Sequence, residues 1–403
     1  MTSKPFVIPL LLLAVAGQAA ATPPDQPPFS VQTVDLWRID CRGVAIDAEG
    51  VHVRTADSQR TMPREEVAEV MLAAADACDE QMGVGLVETV WGDRLPTTEM
   101  SVTDGKVSFR SPVTGEVQTD LSGVAALYIP RKLLAPAQVH RRAEPMLPEK
   151  RTTDLLVVAR GGEDWTVIDG VLQEMDEQDL TFRFRDADRR VKLSSVAAVM
   201  LASAETPEHP AGRLVAKDGS VLAFRKISLD SESAMVDTLA FGPMEVPRKD
   251  IAAVRFESDH VVPLSALEPA EETHHGLFGE GFEPRRNRSA GGSPLRLDGR
   301  EYADGLGLHS FCEVSYDLDG EYRRFAAVVG IDDAVRPLGD ATLTILADDK
   351  AVVDGMRITG TDRAETIRRD VSGARKLTIR VEFGDDSLDV SDHVNLAAAR
   401  LIR

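Results

Sequence analysis

Residues Gly299–Asp333 read GREYADGLGLHSFCEVSYDLDGEYRRFAAVVGIDD, and this stretch decides the fold. Two apolar runs with period-two alternation, Cys312–Tyr316 and Phe325–Val329, lie inside it. Gly305, Gly307, Asp319, Gly320 and Gly330 punctuate them. Alternation bounded by such residues predicts strands joined by tight turns. The rhythm continues downstream, where strands are expected at about 341–347, 365–371, 375–383 and 396–402. Helical periodicity is scarce from residue 259 onward, so this region is expected to be an all-β sandwich.

Upstream of it, a closing phrase recurs four times: VAEVML (67–72), VAALYI (124–129), VAAVML (196–201) and IAAVRF (251–256). A phrase returning at such intervals marks repeated supersecondary units. Each follows a strand-like run and the start of a helical turn. Hairpin patterns precede it, as in Leu214–Phe224, where Asp218-Gly219 separates two alternating runs. Four units of about five strands are expected, similar in rhythm to small SH3-like or Sm-like barrels. Pro130 to Arg151 carries four prolines and divides them into a pair at 22–130 and a pair at 152–258. Within this linker Leu133 to His140 is suited to a short helix.

The formal net charge of −20 argues against general nucleic-acid binding. At the N-terminus, Lys4, the apolar run Phe6–Ala16 and Ala19-Ala20-Ala21 have the form of a cleavable signal peptide, cut after Ala21. The run is too short to span a membrane, and no later stretch is long and apolar enough. A secreted or periplasmic chain is expected. Export permits a Cys41–Cys78 disulfide, whereas Cys312 falls in a strand and reads as a small core residue. There is no phosphate loop, HExxH or GxSxG, and no Cys/His spacing for zinc.

LSALEP (264–269), RNRSAGGSPLRLDGREYADGLGLHS (286–310), YDLDGEYRRFAAVVGIDD (316–333), LTILADDKAVVDG (343–355), DVSGARKLTIRVEFGDDS (370–387) and SDHVNLAAARL (391–401) together resemble the NPCBM family, carbohydrate-binding modules first noted beside glycoside hydrolases. The resemblance covers residues 259–403 and implies a galactose-binding-like jelly-roll sandwich, attachment to sugars and a structural calcium site. With the signal segment and the repeats, it resembles exported proteins of planctomycete-type bacteria. The sequence departs from the family's closing phrase, which carries Trp after the Asp-His pair; here the phrase Asp392-His393-Val394-Asn395-Leu396 has Leu. None of the three tryptophans, Trp37, Trp91 and Trp165, lies in the module. Sugar sites combine aromatic platforms with convergent polar groups. Tyr302, Phe311, Tyr316 and Tyr322 are the aromatics left, and the last two suit core positions.

Candidate sugar-contacting residues are Tyr302, His309, Asp333, Asp392 and His393. Asp332, Asp385 and Asp386, on turns, have the carboxylate chemistry of a calcium site. Turn capping is the alternative for each aspartate, and a hydrogen-bonded structural role is the alternative for His309 and for Asp392-His393. Three functions compete. The leading one is an exported, non-catalytic protein that binds glycan or another envelope component. The second is a structural or assembly protein of the cell envelope, in which sandwich and barrels contact proteins. The third, a glycosidase with a catalytic N-terminal half, is the weakest, because acidic residues are too abundant for pairs to be informative and small repeated barrels rarely form a deep acidic cleft.

Overall fold

The computed structural model describes residues 29–74, 78–131, 134–148, 151–159, 165–202, 208–277, 279 and 281–403, with Cys78 described by its backbone alone. The expected signal segment lies outside the described residues. Cys41 is buried and free, and the side chain of its expected partner Cys78 is outside the described ones.

Each upstream unit follows one plan. In unit 1 the first strand, Phe29–Thr33, pairs with Arg38–Cys41 on one side and with the closing strand Val67–Met71 on the other. The chain continues through Gly43–Ile46, Val51–Arg54 and Gln59–Met62, which pair in succession. A single 3-10 turn, Arg64–Glu66, then precedes the closing strand. Units 2, 3 and 4 follow the same plan, with one long strand in units 3 and 4 (Trp165–Met175 and Val221–Leu229) where units 1 and 2 have two, and end on Val124–Tyr128, Val196–Met200 and Ile251–Phe256. The recurring phrase is therefore the closing strand, and its valines face the core: Val67, Val70, Val124, Val196, Val199 and Val254 are all buried.

The units do not close as the separate barrels that their rhythm led us to expect. The 3-10 turn breaks the ladder between the strand that precedes it, Gln59–Met62 in unit 1, and the closing strand. The closing strand then takes its second partner from another unit. Met71, Val70 and Glu69 of unit 1 pair with Ala253, Val254 and Arg255 of unit 4. Ala126, Leu127 and Tyr128 of unit 2 pair with Met200, Val199 and Ala198 of unit 3. Edges that would stand open are thereby satisfied. Among the described residues the four units form one 22-stranded network over a shared core. The linker separates units 1 and 2 from units 3 and 4 along the chain, yet hydrogen bonds couple 1 with 4 and 2 with 3. Its helix, Pro136–Ala143, lays Val139 and Ala143 over Leu86, Tyr128 and Leu155.

The C-terminal region is a two-sheet sandwich. One sheet orders Arg285–Arg286, Gly305–Leu308, Val394–Ile402, Arg324–Ile331 and Glu365–Asp370, with Val261–Pro263 also pairing with Val394–Ile402. The other orders Glu271–His274, Cys312–Asp317, Lys376–Phe383, Asp340–Ala347 and Lys350–Thr359. Both runs of the deciding stretch are strands, one in each sheet. Alternation sends Phe325, Ala327 and Val329 inward against Val314, Leu343, Ile345 and Ile379. Cys312 belongs to the same core, where burial pushes its thiol up to about 12.

The other face of the first sheet docks onto unit 1. Ala326, Val328, Ala397 and Ala398 surround Leu36, which is 5% exposed. Leu36 sits in the turn between the first two strands of unit 1 with φ of +68°. The equivalent positions of units 2 and 4 are Gly92 and Gly219, at +87° and +84°. In all three turns this residue's amide donates to the carbonyl three residues earlier, at 3.0 to 3.1 Å. Left-handed backbone costs a branched side chain about 1–2 kcal/mol. Leu36 accepts that cost because its side chain plugs the sandwich, and burying a leucine contributes about 1.5–3 kcal/mol. Arg368 locks the joint by donating to the Asp35 and Leu36 carbonyls at 2.7 and 2.6 Å. Its guanidinium lies 3.9 Å from the centre of the Trp37 ring, and Arg324 pairs with Asp35.

Candidate functional site

His309 ends the strand Gly305–Leu308 and is 3% exposed. Its Nδ1 donates to the Ser310 carbonyl at 2.7 Å. The Ser310 hydroxyl donates to Asp392, whose other oxygen accepts the Asp340 amide at 2.9 Å. Asp392 has no exposure to water, and burial pushes its carboxyl above the ordinary value, with these donors opposing the shift. Asp340 is the hub of the loop that delivers Asp392. Its carboxylate takes a bidentate pair from Arg357 at 2.8 and 2.9 Å and accepts the Asp385 amide at 3.1 Å. That pair holds the Asp340 carboxyl below its usual range. Residue 384 must be glycine, because a Cβ there would lie 2.2 Å from an Asp340 oxygen.

His393 follows Asp392 and meets His309 edge to face, with ring centres 5.3 Å apart. Phe282 covers both. It stacks on His309 at 4.4 Å and 30°, and tilts against His393 at 5.3 Å. Burial holds the His393 imidazole below its ordinary value, and His309 adds to that. At neutral pH it is therefore an uncharged ring with one donor and one acceptor nitrogen. Phe282 itself is 45% exposed, although it makes two ring contacts. Beyond Ser310 the ring surface continues, because His275 stacks on Phe311 at 4.7 Å and Phe311 meets Phe383 edge to face at 4.9 Å. Asp389 accepts the Leu277 amide at 2.8 Å and ties the loop before Asp392 to the segment leading to Phe282. Leu388 and Val390 of that loop are exposed.

Residues 260–402 match the family model of the NPCBM/NEW2 domain. The C-terminal sandwich is an NPCBM/NEW2 domain. The chain is also 32% identical over 154 residues to a Renibacterium salmoninarum protein named "Putative endo-alpha-N-acetylgalactosaminidase". That match takes in 38% of this chain and spans 10% of the relative's length. Among solved structures, the chain is similar to CBM51 from Clostridium perfringens GH95 in complex with methyl-galactose. The likeness has 26% identity and a TM-score of 0.32, over 35% of this chain and 99% of that one. It is likewise similar to the CBM51-2 and INT domains of C. perfringens ZmpB, at 20% identity and TM-score 0.33, over 44% and 37% of the two chains.

Within the NPCBM domain the expected residues divide. His309, Asp392 and His393 come together under Phe282. Tyr302 does not join them: it lines a cavity of 340 Å³ between the domain and unit 1, with Leu36 and Arg38. Asp333 caps a turn, accepting the Asp298 and Gly299 amides at 3.0 and 2.7 Å. The expected calcium ligands are engaged separately. Asp332 is buried and accepts from Asn395 at 2.6 Å and from the Ala334 amide at 3.0 Å. Asp385 pairs with Arg357 at 2.6 Å, and Asp386 accepts the Leu388 amide at 3.0 Å. Among the described residues no three His, Cys, Asp or Glu side chains gather as a metal site requires. Sequence reading missed Phe282 altogether. Its signal was an aromatic set among glycines and charges, where no core strand was expected to need it.

Proposed function

We propose that the chain is an exported, non-catalytic protein that binds glycan through the ring surface of its NPCBM domain, with Phe282 and His393 as the contacting pair. The observation that carries this reading is the exposure of Phe282 over two histidines that are themselves held in place. A pyranose ring offers an apolar C–H face and a rim of hydroxyls. An exposed aromatic suits the face, and neutral imidazole nitrogens suit the hydroxyls. Asp392, Ser310 and Asp340 fix the rings from behind, so little side-chain freedom is lost on binding. The family match supports the reading, because sugar attachment is what the family resemblance implies.

The test is a broad glycan array probed with the whole protein, with calcium and with a chelator. Specific signal that falls in the Phe282→Ala variant is expected. Silence across the array under both conditions overturns the reading and leaves the envelope-assembly role.

A further inference from the structure

The joint between unit 1 and the NPCBM domain encloses a cleft of 980 Å³. Its lining includes Trp37, Arg60, Glu66, His260, Arg323 and Asp370. Trp37 and Arg60 come from unit 1, and Arg323 and Asp370 from the sandwich, so neither part builds it alone. Sites for small ligands occupy roughly 300–1,000 Å³ and favour such boundaries.

Trp37 is 57% exposed, with its backbone anchored in the turn and its ring backed by an arginine. Its amide donates to the Thr33 hydroxyl at 2.9 Å and its carbonyl accepts the Thr33 amide at 2.8 Å. The Arg368 guanidinium stacks on one side of the indole and leaves the rest to the cleft. A tryptophan fixed in this way and still open to solvent is a pre-formed platform. Around it the charges alternate. Arg323 donates to the Arg403 carbonyl at 2.9 Å, Asp370 accepts the Ser372 amide at 2.8 Å, and Arg60 has no ion pair among the described residues. Guanidinium donors and carboxylate acceptors stand on walls of near-balanced charge. A phosphorylated or polyanionic ligand would meet Glu66 and Asp370 as well as the arginines, in a chain of net charge −20. A hydroxyl both donates and accepts, so a neutral sugar uses both kinds of group.

We propose that this cleft is a second carbohydrate site that takes a neutral oligosaccharide, with Trp37 as its stacking platform. It is independent of the Phe282 surface, and its size suits more than one sugar ring. It places the tryptophan that the NPCBM domain lacks at that domain's boundary.

The test is a fluorescence titration of the whole protein with neutral cello-, manno-, galacto-, xylo- and chito-oligosaccharides, and with oligogalacturonate as the acidic arm. At least one neutral series is expected to change tryptophan emission saturably. Its affinity should fall about tenfold or more in Trp37→Ala, the scale of losing a stacked aromatic anchor. It should also weaken in Arg60→Ala, which leaves the joint untouched, and stay unchanged in Phe282→Ala. Trp37→Phe should keep the binding, read by calorimetry, while losing the emission change. No neutral ligand, a response to oligogalacturonate alone, or affinity unchanged in both Trp37→Ala and Arg60→Ala overturns the proposal. An array signal that depends on Phe282, together with no saturable emission change from any neutral series, removes the cleft site and leaves the first site standing.

Discussion

Asp93 is a carboxylate with no exposure to water, placed between units 2 and 4. It accepts the Ala223 amide at 2.7 Å and a hydrogen bond from the Thr89 hydroxyl. Burial dominates these donors and pushes its pKa from 3.8 up to about 6. The folded state therefore binds a proton more tightly than the unfolded chain does. The contribution to stability is full below about pH 4 and is lost as pH rises toward 6, at roughly 1.4 kcal/mol for each step of one in pH. Asp93→Asn should accordingly raise stability at pH 7.5, by up to about 3 kcal/mol, and the gain should vanish near pH 4. Denaturant melts at the two pH values read this directly. A gain of equal size at both would contradict the assignment. His393 behaves in the opposite sense. Its lowered pKa keeps the ring neutral, so proton uptake by the unfolded chain removes stability as pH falls below the ordinary histidine value.

At this scale the sequence was partly legible. His309, Asp392 and His393 stand in the sequence as polar residues beside predicted strands, and they come together because strand ends of one sandwich share an edge. Tyr302 and Asp333 looked equivalent by the same criterion. Tyr302 leads into the opposite end of Gly305–Leu308, whereas Asp333 leaves the same edge as His393 but turns onto the Asp298 and Gly299 amides, and both placements are set by long-range pairing. Phe282 was invisible because exposure of an aromatic is a property of its neighbours.

Among the elements, the closing strands carry most of the repeat architecture. Each sits between its own first strand and a strand of another unit, so a buried residue there is felt by two units. Leu127 is fully buried where unit 2 meets unit 3. Leu127→Ala should cost about 2–5 kcal/mol in denaturant unfolding. Across the other seam Arg255 pairs with Glu69 at 2.7 Å, with the arginine largely exposed. Arg255→Ala should cost below about 1 kcal/mol, because solvent screens such pairs. Equal costs would show that charge, not packing, joins the units. The recurring phrase revealed these strands from sequence alone. It did not reveal their partners, because an apolar closing strand has the same pattern whether its free edge closes a barrel or meets another unit. The same holds for the Thr33–Trp37 turn: a leucine where units 2 and 4 have glycine is a local oddity that only the sandwich explains. Leu36→Ala keeps the unusual backbone and loses the plug. It should lower stability by about 2–4 kcal/mol and separate the unfolding of the sandwich from that of the repeats. A single transition with unchanged midpoint would contradict the plug.

For the molecule as a whole, the docking of the NPCBM domain on unit 1 gives the chain two aromatic surfaces with fixed relative placement. The sandwich fold was legible because alternation, turns and family phrases agree over its full length. Its orientation on the repeats was not, since it rests on Leu36, Arg324 and Arg368, which are distant from one another in sequence. Among the described residues no helix is long and apolar enough to cross a membrane. The account's central claim is that glycan is held at the surface formed by Phe282 and His393. The direct measurement is calorimetric titration of the best array glycan into the whole protein and into Phe282→Ala, at pH 7.5 with matched thermal stability. The account predicts an affinity at least about tenfold weaker in the variant, as for loss of a central aromatic anchor. Equal affinities in two equally stable proteins would contradict it.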